Sequence, residues 1–455
     1  MTVPSSGDLV VSGGLVVSGH DRSRADLLIR DGRVARVGLD LQASGRHIDA
    51  TDLLVLPGGV DTHVHLMEPG DPSREDFPSG TAAAASRGVT TIIEHTHGHP
   101  IRDVADLAAK RSHLVGRSNV DYALAAHTWP DRVDQIAGLW RAGVAFFKIF
   151  TCSTHGVPGL DAANLVAALR EVAAAGAATL IHCEDESITA VAERALKASG
   201  RSDNGILLEW RSREAELAAT AATASLVEVT GAKATIAHVS SPAVAAVVSD
   251  AQARGGNLAA EACPQYLLLR EDEVHDCGAL RKFTPPARAR SDEDEELMWE
   301  LVRNGTYSHF STDHAPSTME QKLGGDIWSA PFGLPGLDTT FPLLIDAALT
   351  GKIDLTDVVR LYSETPARRY GLAPQKGFLS VGSDADFVLI DPADTWRIEG
   401  DVLLSKAGWS PYAGRTVRGR AVATYLGGEE IARDGVTHQL RTGRFISGAG
   451  STSMN

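Results

Sequence analysis

Eight short apolar runs alternate with alanine-rich stretches through the middle of this chain. The runs are Val60–His63, Thr90–Glu94, Tyr122–Ala126, Val144–Ile149, Thr179–His182, Ala234–His238, Asn257–Glu261 and Ser308–Thr312. Between them lie stretches of helical composition, such as Ala162–Ala175 and Arg213–Thr230. Eight strand-then-helix units over about 300 residues is the arithmetic of an α/β fold of the (β/α)8 type, a TIM barrel. A doubly wound open sheet is the main alternative. No Gly-x-Gly-x-x-Gly follows an early strand, which disfavours the dinucleotide-binding form of that alternative.

The chain ends have a different texture. Residues 8–57 hold short strand-like runs with tight turns: Leu9-Val10-Val11, Leu15-Val16-Val17, and two runs flanking the turn signal Asp31-Gly32. Asp386–Ile390 and Ala421–Leu426, followed by Gly427-Gly428, repeat that texture near the other end. The expectation is one small β-sandwich domain built from both ends, residues 1–57 and 376–441. The barrel would occupy 58–375. Residues 442–455, rich in Gly and Ser, are expected to be a flexible tail.

Of the 455 residues, 43% are hydrophobic and 22% charged, ordinary values for a globular protein. The formal net charge of −15, with no block of Lys and Arg, argues against nucleic acid or an anionic membrane as partner. No run of apolar residues is long enough to span a membrane. Met1 to Arg24 lacks the pattern of a secretory signal. Cys152, Cys183, Cys263 and Cys277 form no Cys-x-x-Cys pair and are expected to be reduced cytoplasmic thiols.

Barrel chemistry gathers at the C-terminal ends of the strands. Strand one ends in His63 and His65, which on a strand point to one face. Strands four, five, six and eight end in Lys148, His182, His238 and Asp313. Taken singly, each has a plain structural explanation: a satisfied histidine, a snorkelling lysine, an aspartate capping a helix. Independent accidents would not place all six at one mouth, so a metal site is expected.

At these residues the chain resembles the cyclic amidohydrolases of the amidohydrolase superfamily: dihydropyrimidinase (hydantoinase), allantoinase and dihydroorotase. The match runs through Pro57–His65, Phe147-Lys148-Ile149-Phe150, His182-Cys183-Glu184, Ala237–Ser240, Glu261–Leu267, Ser311–His314 and Trp409–Gly414. The resemblance implies two divalent metals, usually zinc. His63, His65 and Asp313 would bind the more buried one, His182 and His238 the other, and Lys148, N6-carboxylated to a carbamate, would bridge both. Imidazole and carboxylate donors suit zinc, and also manganese or cobalt. The implied reaction is hydrolysis of a ring amide, with Asp313 as the catalytic base that then protonates the leaving nitrogen. A homotetramer is implied by the same resemblance.

The pattern departs from the family where substrate is read. Met67 stands where dihydroorotases carry an arginine for the substrate carboxylate, although Arg74 could substitute. Ser153 stands where dihydropyrimidinases carry a tyrosine, and His155 could donate instead. Small residues at that position also suit allantoinase, whereas Gln265 looks hydantoinase-like. Thr284, in a loop stiffened by Pro285 and Pro286, and Pro335, in Pro331–Leu337, are further substrate-contact candidates. His95, His97 and His99 are assigned to the pocket wall or lid. The expected function is opening of a hydantoin- or dihydropyrimidine-type ring. Allantoinase is the alternative, then dihydroorotase; a non-catalytic scaffold of the same fold is the reading from another class.

Overall fold

A computed structural model describes residues 7–42 and 44–451. Its barrel strands are Gly59–Val64, Val89–Glu94, a third in two pieces (Asp121–Leu124 and Ala126–His127), Phe147–Phe150, Ala178–His182, Lys233–Ile236, Leu258–Ala262 and Tyr307–Phe310. All neighbours pair in parallel. The ring closes where Val64 bridges His314, with the His65 N–H donating to the His314 carbonyl at 2.8 Å.

The intervening helices form for local reasons. Ala162–Ala175 starts where Asp161 accepts from the Asn164 N–H and stops at Gly176, whose φ of 65° few other residues adopt without strain. Arg213–Thr230 is bracketed in the same way by Ser212 and Gly231. Both helices coincide with the stretches expected from composition.

The two chain ends build a β-sandwich. One sheet has four strands, in the order Arg33–Gly38, Asp26–Arg30, Leu9–Ser12, Arg46–Asp49. The other has seven, with Phe387–Arg397 at its centre, paired to Leu54–Pro57 on one side and Thr416–Leu426 on the other. Their facing residues, among them Val11, Leu27, Ile29, Val55, Phe387 and Tyr425, share one buried cluster.

The tail departs from expectation. Residues 443–448 pair along the third barrel strand: Tyr122 N–H donates to the Arg444 carbonyl at 3.0 Å, and Ile446 N–H to the Tyr122 carbonyl at 2.8 Å. Ile446 packs in a cluster with the barrel residues Val60, Ile93, Phe146 and Leu180. Glycine and serine there permit close backbone approach, so the segment is held by edge hydrogen bonds that composition does not reveal. Residues 452–455 lie outside the described residues. No described helix is long and apolar enough to cross a membrane.

Barrel and sandwich are joined by a buried cation. Lys376 hydrogen-bonds Asp121 of the third barrel strand and lies 2.8 Å from both Asp384 and Asp386, at the entrance to the sandwich. The Coulomb attraction of three carboxylates outweighs burial and raises the Lys376 amine above its ordinary range. Replacing one partner of a buried ion pair leaves uncompensated charge, which costs about 3–5 kcal/mol. Lys376→Met should destabilise the protein by about that amount, read as a shifted denaturant midpoint.

Candidate active site

Alternation along the strands delivers the site. His63 and His65, His95 and His97, His127, Lys148, His182, His238 and Asp313 all converge at the C-terminal mouth. The Lys148 Nζ lies 3.1 Å from His63 Nε2. Asp313 Oδ1 lies 3.2 Å from His63 Nε2 and 3.4 Å from His65 Nε2. His182 Nδ1 and His238 Nε2 face each other at 3.0 Å. The six expected donors are therefore brought together. Asp313 alone keeps access to the mouth, with 13% of its side chain exposed against 1% for His63.

Two strand ends turn sharply to aim their side chains. His238 has φ of 36° and Asp313 φ of 50°, the left-handed region that side chains with a Cβ rarely adopt. Such strain costs on the order of 1–3 kcal/mol per residue and gathers at functional sites.

For three of the four donor histidines the nitrogen that faces away from the centre is occupied; His238 Nδ1 has no partner among the described residues. His63 Nδ1 lies 2.8 Å from Glu261 Oε2, His65 Nδ1 donates to the His95 carbonyl at 2.7 Å, and His182 Nε2 lies 2.7 Å from Glu184 Oε2. This leaves Nε2, Nε2 and Nδ1 directed inward. A hydrogen bond on the far nitrogen is how proteins fix the tautomer of a metal-binding histidine. Burial, with Lys148 alongside, holds His63 well below the usual imidazole range, so it is neutral and able to donate a lone pair. Burial also pushes the Lys148 amine down to about 8, near enough to neutral for reaction with carbon dioxide. Donor set and orientation fit a divalent metal centre.

Glu184 and Glu261 carry no role in the sequence reading. A charged residue inside the apolar run Leu258–Ala262 was the available signal for Glu261. Glu184 also takes Arg211, at 3.2 Å, and the Thr284 hydroxyl, at 2.7 Å. Burial alone would raise its carboxyl, but Arg211 and the hydrogen bonds from His182 and Thr284 overcome that and hold it at about 2. Nothing in the local sequence marks Arg211.

The other candidates divide. Thr284 commits its hydroxyl to Glu184. Met67 is buried beside the metal-facing strand, with φ of 55°. Pro335 is buried in the segment whose Gly336 and Leu337 N–H groups donate to His314 Nδ1. Ser153 is exposed; it and His155 line a cavity of about 640 Å³ with Trp129, Trp210, Arg211 and Phe332. Arg74 donates to the Pro316 carbonyl at 3.0 Å, so it ties loops together. Of the histidine triplet, His95 and His97 point inward, while His99 is exposed.

Residues 54–431 match the model of the amidohydrolase family. The chain belongs to that family. This amidohydrolase is 36% identical over 449 residues to an allantoinase of Rubrobacter xylanophilus, covering 97% of this chain and 98% of the relative. It is 31% identical to an L-hydantoinase of Paenarthrobacter aurescens, over 97% and 98% of the two chains. Its fold superposes on the structure of an L-hydantoinase (dihydropyrimidinase) from Arthrobacter aurescens with a TM-score of 0.92 at 30% identity, covering 97% of this chain and all of the other. These relatives place the amidohydrolase in the cyclic-amide branch.

Partners of ligating histidines tune metal affinity by about 10–100-fold. Glu261→Gln removes the carboxylate that orients His63 and should weaken metal binding by about that factor, measured by competition with a chromophoric chelator.

Proposed function

We propose that this enzyme hydrolyses one amide bond of a hydantoin- or dihydropyrimidine-type ring at a pair of divalent metal ions. The supporting observation is the convergence of His63, His65, Lys148, His182, His238 and Asp313, with the far nitrogens of His63, His65 and His182 occupied. Lys148, as a carbamate, would offer two anionic oxygens to the metals, whereas as an ammonium it would repel them. Zinc is the metal this donor set suits best. Cations held there lower the pKa of water towards neutrality and polarise the ring carbonyl.

Asp313 does the proton work. Its carboxylate lies against the inward nitrogens of His63 and His65 and opens to the mouth. It takes the proton from the attacking water and delivers it to the ring nitrogen as the carbon–nitrogen bond breaks. His63 and His65 cannot serve instead, because both of their nitrogens are committed.

Allantoin is the second substrate reading, favoured by the small Ser153 at the cavity wall and by the allantoinase relative. Dihydroorotate is disfavoured. Met67 cannot hold a carboxylate, and Arg74 is committed to loop carbonyls. A complete donor set argues against a scaffold without activity. All four cysteines are unpaired, which suits the cytoplasm. A homotetramer is the proposed assembly, by family resemblance alone.

The decisive experiment is a panel of hydantoin, 5-substituted hydantoins of both hands, allantoin, dihydrouracil and dihydroorotate, with metal content measured on the same preparation. At least one uncharged ring should open, with two metal ions per chain, a ratio taken from the proposed donor set. Asp313→Ala should lower kcat by at least about 10²-fold. Lys148→Ala should lose metal and activity together; an active, metal-replete Lys148→Ala would overturn the bridging role.

A further inference from the structure

The ends of the second and third barrel strands turn two buried imidazoles toward the mouth, His97 and His127. Neither nitrogen of either ring has a hydrogen-bond partner. His97 lies against His65, with ring centroids 3.9 Å apart. His155 stacks on His97 at 4.3 Å and 17°. His127 meets His97 edge-on at 5.8 Å and lies parallel to Phe150 at 6.0 Å. His155 forms part of the mouth cavity wall. The three rings therefore lead from a proposed metal donor to open space. His95, whose two ring nitrogens are also without partners, is set apart because one of them lies within 4.8 Å of a ligand nitrogen of His63 and of His65, inside the proposed metal centre rather than along the wall.

Buried polar atoms without partners are rare and costly, and packing alone would be served as well by leucine. Here four such nitrogens lie together beside the reacting centre. A neutral imidazole offers one donor and one acceptor, so this wall can give and take hydrogen bonds at once. That mixed character does not match an alkyl or aryl group, which would bury the same nitrogens with no partner. Nor does it match a carboxylate, which only accepts.

We propose that His97, His127 and His155 form a subsite for an uncharged arm of the substrate ring that carries both N–H donors and a carbonyl acceptor, such as a ureido or carboxamide group. The proposal rests on the cyclic-amide function above and narrows its substrate class. The ring sits at the metal donors, and the arm follows the imidazoles toward the cavity. Among the described residues these three do not form a group with ligand atoms within 4.8 Å of one another, which sets a third metal ion aside as occupant.

The test compares two hydantoins with arms of matched shape at C5, carboxamidomethyl and isobutyl, alongside unsubstituted hydantoin, on the metal-loaded enzyme. The expected kcat/KM ratio favours the carboxamide arm by about tenfold or more, because a site built to hydrogen-bond rejects an analogue that cannot. His127→Phe should bring that ratio to about one or below. A general loss of fold or metal cancels in the ratio, since both substrates meet the same preparation. Turnover of unsubstituted hydantoin together with a preference for isobutyl, or a ratio unmoved by both His127→Phe and His155→Phe, would overturn the subsite and leave ring hydrolysis standing. A third equivalent of metal that disappears in His127→Phe would overturn it in favour of a metal site. If no ring is opened, calorimetric binding of the same two compounds decides: tighter binding of the carboxamide supports the subsite, and equal or weaker binding overturns it.

Discussion

His63 and His65 do two things with separate atoms. Their backbone closes the barrel: the His63 carbonyl accepts from His314, and the His65 N–H donates to the His314 carbonyl. Their side chains face the centre. The register of that seam sets Asp313, one residue before His314, against both inward nitrogens. Asp61 reinforces it from inside, accepting from the His63 and Thr312 N–H groups and from the Tyr362 hydroxyl at 2.7 Å. Burial pushes the Asp61 carboxyl up to about 6 against those three donors. Barrel closure and site assembly are thus one structural event, and anything that loosens the seam acts on both.

One orienting carboxylate faces an energetic conflict. To hold an imidazole in one tautomer, Glu184 must stay ionised where burial favours the neutral acid. Glu184 resolves this with a cation, Arg211, whose charge is itself buried between Trp210 and Phe332. Glu261 Oε2 takes two partners, His63 Nδ1 and the His238 N–H at 2.9 Å. The same carboxylate therefore positions one histidine of each proposed metal pair. Its loss would be felt by both pairs.

Legibility in the sequence follows from how local each feature is. The eight strands, the helices Ala162–Ala175 and Arg213–Thr230 and the strand-end donors were readable, because apolar alternation and caps are local signals. Glu184 and Arg211 were not assigned, because their value arises from pairing across 27 positions, which only tertiary register reveals. Glu261 meets His63 across 198 positions for the same reason. The tail was misjudged because Gly and Ser say nothing about an open strand edge. The triplet His95, His97 and His99 was read as one unit, but the chain leaves strand geometry after Glu94, and His99 falls outside the barrel.

The loop between Ser317 and Leu337 is held in place by buried lysine amines bonded to its carbonyls rather than by apolar packing alone. Lys282 Nζ donates to the Ile327 carbonyl at 2.6 Å, and Lys322 Nζ to the Pro331 carbonyl at 2.8 Å. Arg74 ties Pro316 to the first barrel loop, and His314 holds Gly336 and Leu337. Phe332, which this framework carries, is therefore a fixed wall of the mouth opposite His155, their rings 5.8 Å apart. A wall held by side-chain hydrogen bonds to its own carbonyls does not re-pack around arms of different size as a methionine-rich surface can. With that wall fixed, the proposed imidazole subsite on the opposite flank would discriminate between arms by hydrogen bonding before volume.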